Sequence, residues 1–357
     1  MKLHPNYKRL QGRIEFAEKE TGEWIRVVAD MATKASISFV YASGRERPST
    51  ADKIFKGIVQ LESEQNTGGL LYCLGNNRRA LGILANKSEG DNIAETGYYE
   101  MDDRMNIVPK TDDSTATFIR EKVAVPAKVV TAEPGSYLIV DDSKRRWRLP
   151  LGSEQYENLM EKQALRICRE VSTERDLFNC GGTFYELPAE NADGYAKIRP
   201  ISSHNYRIND YASYRGMLVM TGIDASKVTN NPHIFQSTDK KCSVWAGAID
   251  DLWKMGKPVG RGGPWMKSKV VAKVPSDPFL FGCYDERTLT LSHNANQSVE
   301  FTVEVDPTGD KNWVTYRTFT VKANEKLTFK FPGNIQARWI RFVSDENTTA
   351  TASLDYK

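Results

Sequence analysis

In two separate runs of this chain every second residue is apolar: Val-Glu-Phe-Thr-Val-Glu-Val at 299–305 and Leu-Thr-Phe-Lys-Phe at 327–331. Successive side chains on a strand point to opposite faces, so this period of two specifies antiparallel strands with one buried and one wet face. A helix would place such residues all around its axis. From residues 276–278 (Ser-Asp-Pro) onward the pattern continues through SVEFTVEVD, WVTYRTFTVKANEKLTFKF, ARWIRFVSD and TATASLDY. Turn residues at 306–309 (DPTG), 323–325 (ANE) and 332–334 (PGN) separate the runs. The spacing predicts a small antiparallel β-sandwich over 276–357, with the boundary near Pro275.

Upstream the signal is again short strands cut by Gly, Asn, Asp and Pro. Residues 13–42 read as three strands with a Thr21–Gly22 turn, and residues 68–85 as a hairpin turning at Gly-Asn-Asn. Residues 96–108, 128–140 and 144–149 continue the rhythm. Helix signals are rare: 153–170 roughly keeps helical spacing, though its part ALRICREV reads equally as a strand, and 249–256 (IDDLWKMG) is a short candidate. The expected class is all-β, with a β-propeller-like or sandwich domain over 1–275. No sharp repeat such as a WD dipeptide marks the blades, so repeats are inferred and not counted.

Composition narrows the function classes. Across 357 residues, 40% are hydrophobic and 27% charged, enough to bury a substantial core. A net charge of +3 from 49 basic and 46 acidic residues argues against nucleic acid as the main partner. The dense basic run 144–148 (KRRWR) reads either as an anion contact or as a solvated strand edge kept from aggregating by its charge. No apolar run approaches the roughly 18–20 residues a membrane-spanning helix needs. The opening MKLHPNYKRL lacks the apolar core of a secretory signal, so either the protein is cytosolic or its leader has been removed. Five cysteines without a C-x-x-C pair, and four histidines without ligand spacing, support neither a zinc site nor a disulfide framework. No cofactor is expected. Structural calcium is compatible with the Asp- and Asn-rich turns, although no EF-hand-like loop is present. The Gly260–Gly263 run is not a phosphate loop, and neither G-x-S-x-G nor G-x-G-x-x-G occurs.

Reactive side chains concentrate in residues 178–223, where strand-like 182–187 and 216–221 frame a polar middle. Rigid strands around a loop rich in His, Tyr and Arg are a usual way to build a site. His204 is the candidate acid or base, and its other reading is a ring that fixes a loop. Tyr211 and Tyr214 are candidate general acids, with packing as the alternative. Arg215 and Arg199 are candidate anion clamps, Tyr206 a substrate contact, and Asp210 either an orienting carboxylate or an internal salt-bridge partner. Glu186 and Asp250–Asp251 are alternative carboxylates. Trp245, Trp253 and Trp265 read either as a stacking platform for sugar or as plugs of the core.

The segments GGTFYELP at 181–188, KIRPISSHN at 197–205, DYASYRGMLVMTGI at 210–223 and IDDLWKMGKPVGRGGPW at 249–265 resemble the later blades of a β-propeller group common in secreted proteins of gut Bacteroidetes. The closing ARWIRFVSDENTTATASLDY resembles the β-sandwich end of the same proteins. The resemblance runs from about residue 176 to the C-terminus. It implies a secreted or periplasmic, carbohydrate-active monomer whose partner is an oligo- or polysaccharide. It also implies that the chain is a fragment or starts inside the propeller. Within the group, propeller polysaccharide lyases and glycosidases set the first expectation: an enzyme on an acidic polysaccharide. Arg199 or Arg215 would neutralise a uronate carboxylate, His204 would take the neighbouring proton, and Tyr211 or Tyr214 would protonate the leaving oxygen. Trp245 and Trp253 would contact the sugar. The rival expectation is a non-catalytic propeller module that binds glycan or protein, because a fold alone does not imply catalysis. Convergence of His204, Arg215 and a Tyr hydroxyl favours the first, and scattering favours the second.

Overall fold

The computed structural model describes residues 14–17, 24–27, 54–58, 65–74, 80–89, 92–123, 130–154, 167–170, 175–224 and 231–357. The chain divides into two units, Met1–Tyr41 and Ala42–Lys357. In the first, β1 (Ile14–Ala17) and β2 (Trp24–Val27) pair antiparallel with Ile14 opposite Val27. The third strand expected in 13–42 lies outside the described residues.

The second unit opens with runs of antiparallel strands. β3 (Gln65–Cys73), β4 (Leu81–Glu89), β5 (Asn92–Met101) and β6 (Ile107–Pro109) form a four-stranded meander. β7 (Val130–Glu133), β8 (Ser136–Val140) and β9 (Arg146–Leu149) are consecutive hairpins. β10 (Ile167–Glu170), β11 (Arg175–Cys180), β12 (Thr183–Pro188) and β13 (Arg199–Ser203) form a second meander. β14 (Tyr211–Tyr214), β15 (Met217–Met220), β16 (Ile234–Gln236) and β17 (Ser243–Gly247) form a third sheet, in the order β14-β15-β17-β16. These are the sizes of propeller blades, and among the described residues no strand order closes into a ring.

One turn recurs in three of these sheets. Met105, Lys144 and Lys240 sit in left-handed backbone at φ 65°, 61° and 60°. Each lies in the hairpin before the last strand of its run. Left-handed backbone costs a non-glycine residue roughly 1–2 kcal/mol, so the turn must be held by other bonds. Asp102 accepts from the N–H groups of Arg104 and Asn106 at 2.8 and 2.9 Å. Asp141 accepts from the Arg145 N–H at 2.8 Å, and Ser237 Oγ from the Cys242 N–H at 3.1 Å. A short polar side chain that bonds the backbone a few residues ahead stabilises such turns. No sequence signature announced that these three turns share one geometry.

The last part of the chain is a sandwich. β18 (Gly260–Val270), β25 (Thr348–Tyr356), β20 (Arg287–His293) and β23 (Lys326–Lys330) lie side by side in that order in one sheet. Opposite it run β22 (Val314–Val321), β21 (Val299–Asp306), β24 (Trp339–Ser344) and β19 (Phe279–Leu280). The alternation puts Val299, Phe301, Val303 and Val305 inside. They share a core with Leu289, Leu291, Ala352 and Leu354 of the other sheet. Trp265 closes that core with its ring 6.4 Å from Phe301 and 6.1 Å from Phe342. β18 precedes residue 275 in sequence, yet it is the edge partner of the last strand.

The second sheet does not stop at β19. Phe279 pairs in parallel with Arg148, which adds β9, β8 and β7 and makes seven strands. Within the basic run 144–148, β9 is therefore not a free edge, because strands flank it on both sides, and the three arginines have carboxylate partners while Lys144 and Arg146 stay exposed. Arg145 bonds Asp141 at 2.6 Å, Arg146 lies 3.1 Å from Asp277, and Arg148 holds Glu133 at 2.7 Å and Asp277 at 2.8 Å. Trp147 packs on Trp339 with centroids 4.8 Å apart. Among the described residues helical structure is confined to short pieces. Asp112 caps the helix α1 (Asp113–Phe118) by accepting from the Thr115 N–H. The helical candidate at 249–256 is a 3₁₀ turn, Ile249–Lys254. The strand alternative holds at Ile167–Glu170, and 155–166 lies outside the described residues.

Candidate functional site

The polar stretch 178–223 forms the seam between sheets, and its side chains are taken up by it. His204 follows β13 and is 3% exposed. Its Nδ1 accepts from the Tyr206 N–H at 3.1 Å, which places the ring proton on Nε2, 3.1 Å from Asn179 Oδ1. The ring lies between Phe184 and Tyr206, at 5.2 and 5.9 Å. The lone pair a general base needs is thus occupied by backbone. Tyr211 stands on the other side of Phe184, its ring centroid 5.3 Å away. Its hydroxyl donates to the Leu177 carbonyl at 2.8 Å and accepts from the Asn179 N–H at 2.9 Å. Asp210 is buried and accepts from the N–H groups of Leu71 and Tyr211 at 2.6 and 2.8 Å, which ties β14 to β3.

The remaining candidates lie elsewhere. The buried Tyr214 hydroxyl donates to the Met101 carbonyl at 3.3 Å, and burial raises its pKa against the lowering effect of Arg215. Arg215 is exposed in the β14–β15 turn, 4.0 Å from Asp103. Arg199 is register partner of Glu186 and pairs with it through a charge-assisted bond. Trp245 is fully buried, donates to the Ile54 carbonyl at 2.8 Å, and stacks on His233 at 5.4 Å. Trp253 is partly buried against the same core. The structure therefore brings His204, Tyr206, Tyr211 and Asn179 together as a packed cluster. It sets Tyr214 and Arg215 beside the β5–β6 hairpin instead.

An open cleft of about 680 Å³ lies in a different place. Its floor is one face of the sheet of β18, β25 and β20, where Arg261 is register partner of Asp355 and Thr290 of Ser353. Its wall is the β7–β8 turn at Pro134–Gly135 with Glu133 beside it. Glycines make the junction. The Gly263 N–H donates to the Gly135 carbonyl at 2.9 Å, and a Cβ on Gly262 would stand 2.0 Å from that same oxygen. A Cβ on Gly263 would stand 1.9 Å from the Ala352 carbonyl. The run Gly-Arg-Gly-Gly thus lets three backbones meet while Arg261 keeps its side chain. Arg261 lies 3.4 Å from Glu154, and Glu133 is held by Arg148. Met266 and Leu151 supply apolar lining. The sequence reading passed over Glu133, Thr290, Ser353 and Asp355. The glycine run was the available signal, as a place where chains pass closely.

Among the described residues no group of three or more His, Cys, Asp or Glu is placed to hold a metal ion. No helix among them is long and apolar enough to cross a membrane. No family model matches the chain, and no curated protein matches it. Solved structures give faint likenesses. PirA is 12% identical over 28% of this chain and 84% of its own, with a TM-score of 0.17. The Bombyx mori GH32 beta-fructofuranosidase BmSUC1 is 9% identical over 81% of this chain and 78% of its own, with a TM-score of 0.19. A glycoside hydrolase family 43 arabinoxylan arabinofuranohydrolase from Bacillus subtilis is 10% identical over 80% of this chain and 77% of its own, with a TM-score of 0.18. At such scores the likenesses carry no argument about fold or function.

Proposed function

We propose that this chain is a non-catalytic carbohydrate-binding module, a propeller-type array of blades carrying a sandwich, that holds a neutral sugar chain in the cleft beside Arg261. The observation that carries the reading is the lining. A guanidinium, carboxylates and two hydroxyls share the cleft with Met266 and Leu151. A carboxylate accepts two sugar hydroxyls and a guanidinium donates to two, while apolar side chains cover the C–H faces of a ring. The cleft's size falls within the range of about 300–1,000 Å³ typical of ligand sites.

Charge favours a neutral ligand over a uronate. Arg261 has Glu154 beside it, Arg148 is answered by Glu133 and Asp277, and Asp355 by Lys357 at 3.4 Å, so the cleft offers a uronate no surplus of positive charge. The lyase reading is weaker on geometry, because the His204 lone pair and the Tyr211 hydroxyl are both bonded to backbone. Titration calorimetry with neutral and uronate-containing oligosaccharides, run beside an ultraviolet assay for unsaturated uronates, tests the proposal. Expected is binding of a neutral oligosaccharide that weakens at least about tenfold in Asp355→Ala, roughly the loss of one charge-assisted hydrogen bond, with no rise in absorbance. A rise in absorbance on an acidic polysaccharide that disappears in His204→Ala would overturn it. So would neutral-sugar binding indifferent to Asp355→Ala.

A further inference from the structure

Among the described residues the sandwich leaves one long strand edge open. In the seven-stranded sheet β22 lies outermost, paired with β21 on one side only. An edge strand presents a row of N–H and C=O groups that another chain can pair with, and proteins usually blunt such edges. The other outer strands of the two sandwich sheets are blunted. β7 has only four residues. β18 carries Pro264 and two register shifts, and its backbone bonds Gly135 and Leu151. β23 is short, with Lys326 and Lys330 at its ends. β22 has eight residues, no proline and a single charge, Arg317, and its one register shift is at Tyr316. Val314, Thr315, Arg317, Thr318 and Thr320 are exposed along it, Val314 to 55%.

Arg317 decides what this edge accepts. Its register partner is the buried Val303, so its side chain leaves the strand on the face that looks toward the other sheet. There its guanidinium lies 5.1 Å from the Phe319 ring centroid and 5.4 Å from that of Phe329 on β23. Tyr316, Leu327 and Phe329 are only partly buried against the core beside it. The mouth between β22 and β23 is thus an apolar strip with a cation in its middle. Lys322 is paired with Glu325 at 3.6 Å and Lys330 with Glu286 at 2.9 Å. Among the described residues neither Arg317 nor Lys326 has a carboxylate partner. A second copy of β22 fits this edge poorly. Antiparallel pairing about Thr318 brings the two Arg317 side chains into diagonal reach on one face, and pairing about Arg317 sets them directly opposite, where like charges destabilise.

We propose that β22 is a docking edge for an extended acidic segment of another protein, which adds to the sheet as its eighth strand. The segment's backbone pairs along 314–320, and its carboxylate meets the Arg317 guanidinium in charge-assisted bonds. Apolar side chains two positions to either side of that carboxylate share its face and cover Tyr316 and Phe329. Strand addition takes its affinity from main-chain hydrogen bonds and its specificity from alternate side chains. Here the specificity is for one negative charge between two apolar residues.

The probe is the peptide Thr-Val-Thr-Glu-Thr-Val-Thr, which sets Val, Glu and Val on one face and reads the same in both directions. Its counterpart carries Lys in place of Glu. Both are titrated into the whole native protein by calorimetry, and hydrogen exchange read by mass spectrometry locates the amides they protect. The Glu peptide is expected to bind at least about tenfold more tightly than the Lys peptide and to slow exchange within 314–320. Arg317→Glu should reverse the preference, a result that a misfolded variant cannot give. Equal binding of the two peptides overturns the proposal, as does binding that leaves 314–320 unprotected. Failure of the Glu peptide to bind overturns it as well. So does exchange within 314–320 that slows with protein concentration alone, because a second copy then covers the edge.

Discussion

Removing a single oxygen, as in Tyr211→Phe, separates a packed seam from a reaction site. The Tyr211 hydroxyl makes two buried bonds, to the Leu177 carbonyl and from the Asn179 N–H. Phenylalanine keeps the ring against Phe184 but leaves both backbone groups short of a partner. Each net bond is worth about 1 kcal/mol, and an unsatisfied buried group raises that cost, so the substitution should remove roughly 2–3 kcal/mol. Tyr214→Phe gives the scale. Its hydroxyl donates to the Met101 carbonyl over a long 3.3 Å, and the loss of that bond should cost about 0.5–1 kcal/mol. Urea unfolding followed by circular dichroism reads both, as a fall in midpoint with an unchanged slope. A Tyr211→Phe protein as stable as the parent, or no less stable than Tyr214→Phe, would refute the reasoning. Neutral or gained stability is what relief of a functional site produces.

Other perturbations follow from the same geometry. Arg199→Met should cost about 3 kcal/mol in urea unfolding because it takes the cation away from the buried Glu186 carboxylate, and Arg199→Met with Glu186→Leu should recover most of it. Gly263→Ala places a Cβ 1.9 Å from the Ala352 carbonyl and should lower the melting temperature steeply, at a cost of about 3 kcal/mol or more. Gly333→Ala, which meets nothing within 4 Å, should melt like the parent. Burial opposes ionisation of Asp141, but its bonds from Trp147 and Arg145 outweigh that and hold its carboxyl below the usual 3.8. The stability this lends is complete above the unfolded value and lost as pH falls through the depressed folded one. Melting temperatures should therefore drop below about pH 4, and less steeply in Asp141→Asn.

Local periodicity was legible because it is written in neighbouring residues. The alternation of Val299, Phe301, Val303 and Val305 sufficed to place β21, and Thr183–Pro188 and Met217–Met220 fall where apolar runs put strands. Pairings between distant residues leave no such mark. Nothing in KRRWR shows that Asp277 and Trp339 answer it, so its place inside a seven-stranded sheet could not be read from the run. The surroundings of the polar stretch 178–223 were hidden for a related reason. His204, Tyr211 and Asp210 are the residue types of chemistry, but the same polar atoms suit a seam where loops cross and backbone groups need partners. The cleft draws Glu133, Arg261 and Asp355 from three separated segments of unremarkable sequence, and only the tertiary fold gathers them.

The parallel pair of Phe279 with Arg148 bears on how the chain is made. A ribosome releases β7 to β9 long before β19 and β24 exist. For that interval β9 is an unpaired edge, with the Trp147 ring lacking the Trp339 face it later covers. High contact order of this kind slows folding and prolongs the exposure of sticky edges. Arg145, Arg146 and Arg148 flank the waiting Trp147, and their charge protects the nascent strand from pairing with another chain. The charges that would shield the edge during synthesis are the ones that afterwards pair with Asp141, Glu133 and Asp277. Shortened versions ending before Phe279 would keep the guard and lose its partner.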